Sequence, residues 1–350
     1  MRHFFILFAI AGLLINPSAA EACTGITLKS KDSTTIVART IEWGGSNLNS
    51  QYVVVPRGYT ERSYTPNGVD GMTFTARYGY VGLAVEQKEF IAEGLNEVGL
   101  SAGLFYFPKY GEYEKYNAAV RDKSISDLQL VSWLLGECSN VEEVKEAVKK
   151  VHVINIDPRA STVHWRFAEP SGRQLVLEII KGELHFYENT LGVLTNSPSF
   201  EWHLTNLNNY VNLFPGTAPN QQLGNIELSS FVAGDVTPPS RFVRAAFYQA
   251  SAPQQETALE TVFQCFQILN NFDIPVGIEF PLGQVPCDIP SATQWTSVTD
   301  MRNHVIYYRT MYNSVIRNID LRSIDFSTVR YGAVSKDGTK RQAVETIKIE

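Results

Sequence analysis

A cysteine at position 23 follows Ala20-Glu21-Ala22, which has small residues at both positions a leader-processing enzyme reads. Cleavage after Ala22 would leave 328 of the 350 residues and make Cys23 the first of them. Its sulfur would then stand beside its own α-amine. An α-amine titrates at about 7.7 to 8.0 and a thiol at about 8.5, so near neutral pH a proton passes between them at little cost. That pairing suits a nucleophile activated by its own N-terminus, the cysteine counterpart of the N-terminal threonine and serine acyl-transfer enzymes. The same position also suits lipidation, but that machinery prefers small neutral residues before the cysteine, and here Glu21 is charged. A cysteine that merely follows a cleavage site is the third possibility.

Other residues can support such a centre. Arg39, sixteen positions on, is followed by Glu42 and Trp43 near the end of an expected strand. An arginine there can hold a thiolate by charge and hydrogen bonding, and a carboxylate can accept from an ammonium. In Leu194-Thr195-Asn196-Ser197-Pro198, Asn196 ends an expected strand before a proline-fixed turn, and its amide NH2 is a neutral, constant donor for an oxyanion. In Pro239-Ser240-Arg241-Phe242-Val243-Arg244, Ser240 reads as an N-cap, with Arg241 and Arg244 in the first turns of a helix. Arginines there oppose the helix dipole, which points to carboxylate or site partners worth more than the roughly 0.3 to 1 kcal/mol lost. The six histidines show no metal-ligand spacing, and His152, His164 and His185 lie in strand-like runs where a structural role is usual. No Gly-x-Ser-x-Gly, Walker loop or dinucleotide fingerprint is present.

These residues need a large scaffold. The chain is 44% hydrophobic and carries 40 aromatic side chains (19 Phe, 16 Tyr, 5 Trp), enough apolar surface to exclude disorder as its main state. With 30 basic against 36 acidic residues the net charge is -6, and no basic run is longer than a pair such as Lys149-Lys150, which argues against a nucleic-acid binder. Residues 1–22 read as a secretory signal: Arg2 and His3, then twelve apolar or small residues from Phe4 to Ile15, then the cleavage site. Twelve residues span about 18 Å as a helix, short of the roughly 30 Å hydrocarbon core. The protein is therefore expected to be exported, periplasmic in a Gram-negative host and otherwise secreted, without stable membrane insertion.

Strand patterns cover 25–29, 35–41, 52–56, 74–85 and 90–107, the last broken by the turn-forming Asn96-Glu97-Val98-Gly99. From Ser126 the period becomes helical, and a second helix opens at Ser139-Asn140-Val141-Glu142 and ends at Lys149-Lys150. Strands return at 161–167, 173–180, 184–188 and 192–195; helices follow at 240–250 and 255–272; strands close the chain at 296–298, 305–309 and 319–326. Pro215 to Asn225 is the most loop-like stretch. Strands, helix pair, strands, helix pair, strands predicts an α+β protein with two mostly antiparallel sheets stacked face to face and helices outside, one domain from 23 to 350.

With Cys23-Thr24-Gly25, Ala38-Arg39-Thr40, Gly94-Leu95-Asn96-Glu97 leading into Ala102-Gly103-Leu104, Leu194 to Pro198 and Pro239 to Arg244 in this order, nearly the whole mature chain resembles the choloylglycine hydrolases. These are the conjugated bile salt hydrolases and penicillin V acylases among the N-terminal nucleophile hydrolases. The resemblance implies a four-layer αββα sandwich, a homotetramer, and cleavage of a linear amide without metal or cofactor. By carry-over Cys23 is the nucleophile and its α-amine the base, Arg39 the charge partner, Asn196 an oxyanion-hole donor, and Arg241 a site-organising cation. Two departures stand out. Glu42 replaces the family's aspartate, and the second oxyanion position falls at Phe105 or Tyr106, of which Tyr106 is favoured, through its backbone N–H. Phe105, Tyr106, Phe107 and Tyr110 could wall an apolar acyl site, and the same run would serve as ordinary core. Conjugated bile salts are the favoured substrates, penicillin V the alternative, and a lipid-anchored, non-catalytic binding protein a different class of answer. Assigning Cys23 to catalysis leaves Cys138, Cys265 and Cys287, so at least one is unpaired within a chain; Cys138 and Cys265, on expected helices, should be buried thiols.

Overall fold

The computed structural model describes residues 23–43, 48–157, 161–211, 213, 217–223, 226–229, 234–278, 292–335, 337 and 341–349. In chain order the elements are a hairpin of β1 (Cys23–Lys29) and β2 (Thr35–Trp43), then β3 (Gln51–Val55), a short hairpin of β4 (Thr60–Arg62) and β5 (Thr73–Thr75), and β6 (Tyr80–Ala84), β7 (Ile91–Asn96) and β8 (Ser101–Tyr106). Next come β9 (Ser124–Ser126), α1 (Leu130–Glu137), α2 (Val141–Val148), β10 (His152–Ile154), β11 (Val163–Ala168), β12 (Gln174–Ile180), β13 (Glu183–Glu188) and α3 (Phe200–Asn206). β14 (Thr217–Leu223), β15 (Ile226–Ser229), α4 (Pro238–Ser251), α5 (Ala258–Leu269), β16 (Ala292–Asp300), β17 (Val305–Thr310), β18 (Asn313–Asp320) and β19 (Gly332–Ser335) complete the chain.

Two antiparallel sheets result. One has five strands in the order β1-β2-β16-β17-β18; the other has eight, β13-β12-β11-β8-β7-β6-β3-β19. α1 lies on β7 and β8, while α4 packs on β1 and α5 on β1, β2 and β16. The two sheets stack face to face with helices on both outer faces, a four-layer αββα sandwich. Burial explains the strand composition. β2 (TIVARTIEW) is buried at all but its last residue because it has the facing sheet on one side and α5 on the other, so apolar and polar positions alike are enclosed and no in-out alternation shows. One core joins both sheets and both helix layers, from Ile26 and Ile36 through Phe105 and Trp165 to Leu134 and Val262.

Several expected boundaries move, each for a local reason. The strand expected over 74–85 is two, since Arg77 and Tyr78 donate their N–H groups to Gly136 O at the end of α1 instead of a ladder partner. α2 is capped by Asn140, whose side chain accepts from Glu142 N and Glu143 N, while Glu143 reaches back to Ser139 N, so the box sits one residue later than Ser139-Glu142. The N-cap of α4 is Thr237 and not Ser240: Pro238 and Pro239 lack N–H groups and fit the first turn, which extends the helix upstream. The loop expected over Pro215–Asn225 instead holds β14, which pairs antiparallel with β15 just beyond that stretch. The last expected strand ends at Asp320, which caps a short 3-10 turn over Leu321–Ser323. The leader expected over residues 1–22 and Cys287 lie outside the described residues.

Candidate active site

The site forms where β1 meets the facing sheet and the start of α4. Cys23 opens β1, paired with Ile41 of β2, and is 4% exposed. Two residues on, Gly25 exchanges both backbone hydrogen bonds with Leu194, at 2.7 and 3.2 Å, which docks the Leu194–Pro198 segment against the first strand. A Cβ on Gly25 would stand 3.1 Å from the Phe105 ring, so this close approach of β1 to the other sheet depends on glycine. Six positions named from sequence, Cys23, Arg39, Glu42, Tyr106, Asn196 and Arg241, thereby converge from four elements and one segment, 218 residues apart in the chain between Cys23 and Arg241.

Asn196 is the hub. Its Oδ1 accepts from Cys23 N at 2.7 Å and from Arg241 Nη2 at 2.8 Å, and its Nδ2 donates to Tyr106 O at 2.8 Å. Two donors on one atom fix the amide's orientation, and Nδ2 spends one of its two hydrogens on Tyr106 O. Arg241 Nη1 donates to Cys23 O at 2.5 Å and to Thr24 Oγ1 at 2.8 Å, and its Nε donates to Val236 O. These are the partners that offset its unfavourable place in the first turn of α4. Arg244 uses the same helix end differently, donating to Gly234 O and Asp235 O.

The Arg39 side chain crosses the sandwich from β2. It donates to Leu104 O at 2.5 Å, Ala92 O at 3.1 Å and Thr40 O at 3.1 Å, and its guanidinium lies 4.0 Å from the centre of the Phe105 ring. Burial pushes the Cys23 thiol above its usual value; Arg39 and Arg241 pull it down, Glu42 pushes it further up, and the Tyr106 backbone N–H directed at the sulfur lowers it. The Tyr106 N–H is thus directed at the sulfur, and the carbonyl of the same residue accepts from Asn196 Nδ2.

Glu42 is 2% exposed, accepts from Thr293 Oγ1 at 3.0 Å, and has no hydrogen-bond partner on Oε2 among the described residues. Burial raises its carboxyl to about 8, against the opposing pull of Arg241, Thr40, Thr293 and Arg39. Cys23 N is a peptide amide while Ala22 remains attached, so the expected carboxylate-ammonium contact has no cation to form with. The folded value lies above the ordinary 4.5, so the folded chain holds a proton that the unfolded chain has released. The stability Glu42 contributes is full below about 4.5 and falls as pH rises towards about 8. In the unprocessed chain, Glu42→Gln should remove a loss on the order of a few kcal/mol between pH 5 and 8. Urea midpoints at the two pH values check it, and equal pH dependence in both proteins would contradict the assignment.

Two histidines read as structural in the sequence, or passed over there, hold the Asn196 segment from behind. His164 Nε2 contacts Thr195 O at 3.0 Å, and its Nδ1 pairs with Glu178 Oε1 at 3.0 Å; His203 Nε2 contacts Asn196 O at 2.8 Å. His203 stacks on Phe242 of α4 and is pushed down to about 4, chiefly by burial, so it is neutral and donates through Nε2. No spacing signal could have marked them, because their partners are backbone carbonyls brought near only by folding. The aromatic run divides. Phe105 and Phe107 are fully buried, Phe105 beneath Arg39 and Phe107 stacked on His164, so they are core rather than a wall for a substrate. Their side chains point inward because β8 lies under the other sheet. Tyr106 is half-buried, edge-on to Trp43, and Tyr110 is 46% exposed. Cys138 and Cys265 are buried free thiols, with Cys138 closing α1 as its C-cap and raised to about 12 by burial.

A sandwich with a cysteine at the head of its first strand, beside an amide side chain and two arginines, defines a linear-amide hydrolase of the N-terminal nucleophile fold. The model of the linear amide C–N hydrolases, choloylglycine hydrolase family, matches residues 23–334, and the chain belongs to that family. It is an amidohydrolase. The bile salt hydrolase/transferase of Lactiplantibacillus plantarum is 32% identical over 318 residues, covering 85% of this chain and 92% of that protein. The bile salt hydrolase/transferase of Clostridium perfringens is 30% identical over 313 residues, with the same shares covered. A crystal structure of a conjugated bile acid hydrolase from Clostridium perfringens, in a mutant form, matches at a TM-score of 0.77 and 28% identity, covering 93% of this chain and all of that one.

Proposed function

We propose that the mature protein deconjugates glycine- or taurine-conjugated bile salts with Cys23 as an N-terminal nucleophile. The observation that carries this reading is the convergence on Cys23 of Asn196, Arg241, Arg39 and the Tyr106 N–H. After removal of residues 1–22 the Cys23 amine takes the thiol proton, and the sulfur attacks the amide carbon. The carbonyl oxygen becomes an oxyanion held by Asn196 Nδ2–H and Tyr106 N–H, two preorganised donors in a dry site. The C–N bond breaks as the ammonium passes its proton to the leaving amine, which leaves a thioester. Water then gives a proton to the amine and its oxygen to the acyl carbon, and the returning proton restores the thiol. Arg241 fixes the cysteine carbonyl and the amide together, Arg39 supplies positive charge to the thiolate, and the unpartnered Glu42 Oε2 is an acceptor for the α-ammonium once it exists.

Tyr106 and Tyr110 are the members of the aromatic run available to an acyl group. The relatives at 30 to 32% identity are named as acting on bile salts, whereas a penicillin V acylase of Pectobacterium atrosepticum is 23% identical over 350 residues, which favours the steroid acyl group. Export by the leader, one catalytic domain over 23–350 and a homotetramer complete the proposal. Purified mature protein given glycocholate, taurocholate and penicillin V side by side should release glycine or taurine far faster than it opens the penicillin side-chain amide. Faster release of the phenoxyacetyl group would replace bile salts with penicillin V as the substrate. A diacylglyceryl mass on Cys23 would tie up its sulfur as a thioether, and with it remove the nucleophile.

A further inference from the structure

Behind Arg39 lies a second buried arginine that the chemistry above does not use. Across three adjacent strands Glu93 of β7, Gly103 of β8 and Arg166 of β11 stand in register on the face that looks towards β1 and β2. Because Gly103 has no side chain, the Glu93 carboxylate lies over it: a Cβ there would meet Glu93 Oε2 at 2.1 Å. The carboxylate thus reaches Arg166 Nη2 at 2.6 Å through Oε1 and stands 3.6 Å from Arg39 Nη1 through Oε2. The Phe105 ring lies between the guanidiniums, 4.0 Å from Arg39 and 5.8 Å from Arg166. Arg166 Nη1 would be 3.4 Å from a Cβ on Gly25, so this cation abuts the strand two residues from Cys23.

All three charged side chains are 2% exposed or less. Two guanidiniums share one carboxylate, and Arg39 Nη2, Arg166 Nε and Arg166 Nη1 have no hydrogen-bond partner among the described residues. An ion pair serving stability alone gains little from such burial. A carboxylate shared between two cations, however, divides its charge between them, and of the two it is Arg39 whose charge weighs on the sulfur.

We propose that Glu93 and Arg166 are positioning residues that set how much of the Arg39 charge reaches the Cys23 thiol, with opposite signs. This rests on Cys23 being the nucleophile. Glu93 attenuates Arg39; Arg166 draws Glu93 away and so releases it. The other charged groups acting on the sulfur are Glu42 of β2 and Arg241 of α4, together with the α-amine of the mature chain. His164 and Glu178, next on the same buried face, pair with each other and with the backbone of Thr195 and Phe200.

The experiment follows the pH dependence of Cys23 alkylation by iodoacetamide in the mature enzyme, read by peptide mass, in wild type, Glu93→Gln, Arg166→Met, Arg166→Lys and the double variant. The amine and thiol titrate as a coupled pair, so the midpoint compared is that of the pair. Glu93→Gln should lower it by half a pH unit or more, Arg166→Met should raise it by a similar amount, and Arg166→Lys should restore it. In the Glu93→Gln background, Arg166→Met should have little further effect. The alkaline or acid limb of kcat should move with the midpoint while KM stays within about twofold. Equal midpoints in all variants, or shifts of the same sign in both single variants, would overturn the proposal. If Arg166→Met does not fold, Glu93→Gln and Arg166→Lys decide: an unchanged midpoint in the first overturns it. Retained turnover in Cys23→Ala would instead defeat the nucleophile assignment, and that outcome is separate from any of these.

Discussion

Mature protein carrying Cys23→Ala should lose amide hydrolysis to background, a fall on the order of 10⁶-fold in kcat if it behaves like other single-nucleophile enzymes. The fold should survive. The cysteine contributes its place through backbone contacts, Cys23 N to Asn196 and Cys23 O from Arg241, and alanine preserves both. A protein whose first residue is Ala22, with Cys23 intact behind one peptide bond, should be nearly as inactive. Its sulfur would be in place, but the nitrogen would be an amide without a basic lone pair. Comparing the two separates nucleophile from base: turnover in Cys23→Ala excludes the sulfur, and turnover in the Ala22-extended protein excludes the amine. Cys23→Ser keeps the amine and a weaker nucleophile, and should fall between wild type and alanine.

Asn196→Ala should have the second largest effect. One oxyanion donor is worth on the order of 10² to 10³ in kcat. Here the same side chain also accepts from Cys23 N and Arg241 Nη2, so its loss leaves two buried donors without their acceptor as well. Asn196→Asp divides these roles. It retains an oxygen for Cys23 and Arg241 but replaces the donor to Tyr106 O and to the oxyanion with a second oxygen. The aspartate variant should therefore lose 10² to 10³ in kcat with KM changed by only a few-fold, roughly the value of an oxyanion donor. Activity in Asn196→Asp within tenfold of wild type would show that the amide holds the cysteine without stabilising the reaction.

The buried network around these residues also explains which substitutions should be least informative. His203 reaches Asn196 O and packs on Phe242, so truncating it disturbs the segment and α4 together. A fall in activity there would report position, and the charge-sensitive variants of Glu93 and Arg166 are the better probes of how the thiol is tuned.

Much of this architecture is legible in the chain. The αββα order follows from the change of period at Ser126 and again near Ser240, because burial on one face imposes a period of 3.6 on helices and 2 on strands. Cys23 is marked by the Ala20-Glu21-Ala22 pattern before it, Asn196 by its proline-fixed turn, and Arg241 by an otherwise unfavourable place in a helix. Each is a local signal, written in neighbours within a few residues. The errors are local too: the start of α4 was obscured by Ser240 until the two prolines before it were counted as first-turn residues, and the hairpin of β14 and β15 was hidden by polar composition.

By itself, then, the sequence determined the scaffold, the head residue of the first strand and the residue types gathered near it. Tertiary structure decided the rest. Phe105 and Phe107 are hydrophobic in either role, and only the facing sheet shows that they turn inward and leave Tyr106 and Tyr110 outside. His164, His203, Glu93 and Arg166 have partners 7 to 73 residues away, many of them backbone carbonyls that carry no side-chain signature. Electrostatic tuning depends on distance and burial, which reach across the chain at random spacing, so no pattern in the linear order could have encoded it.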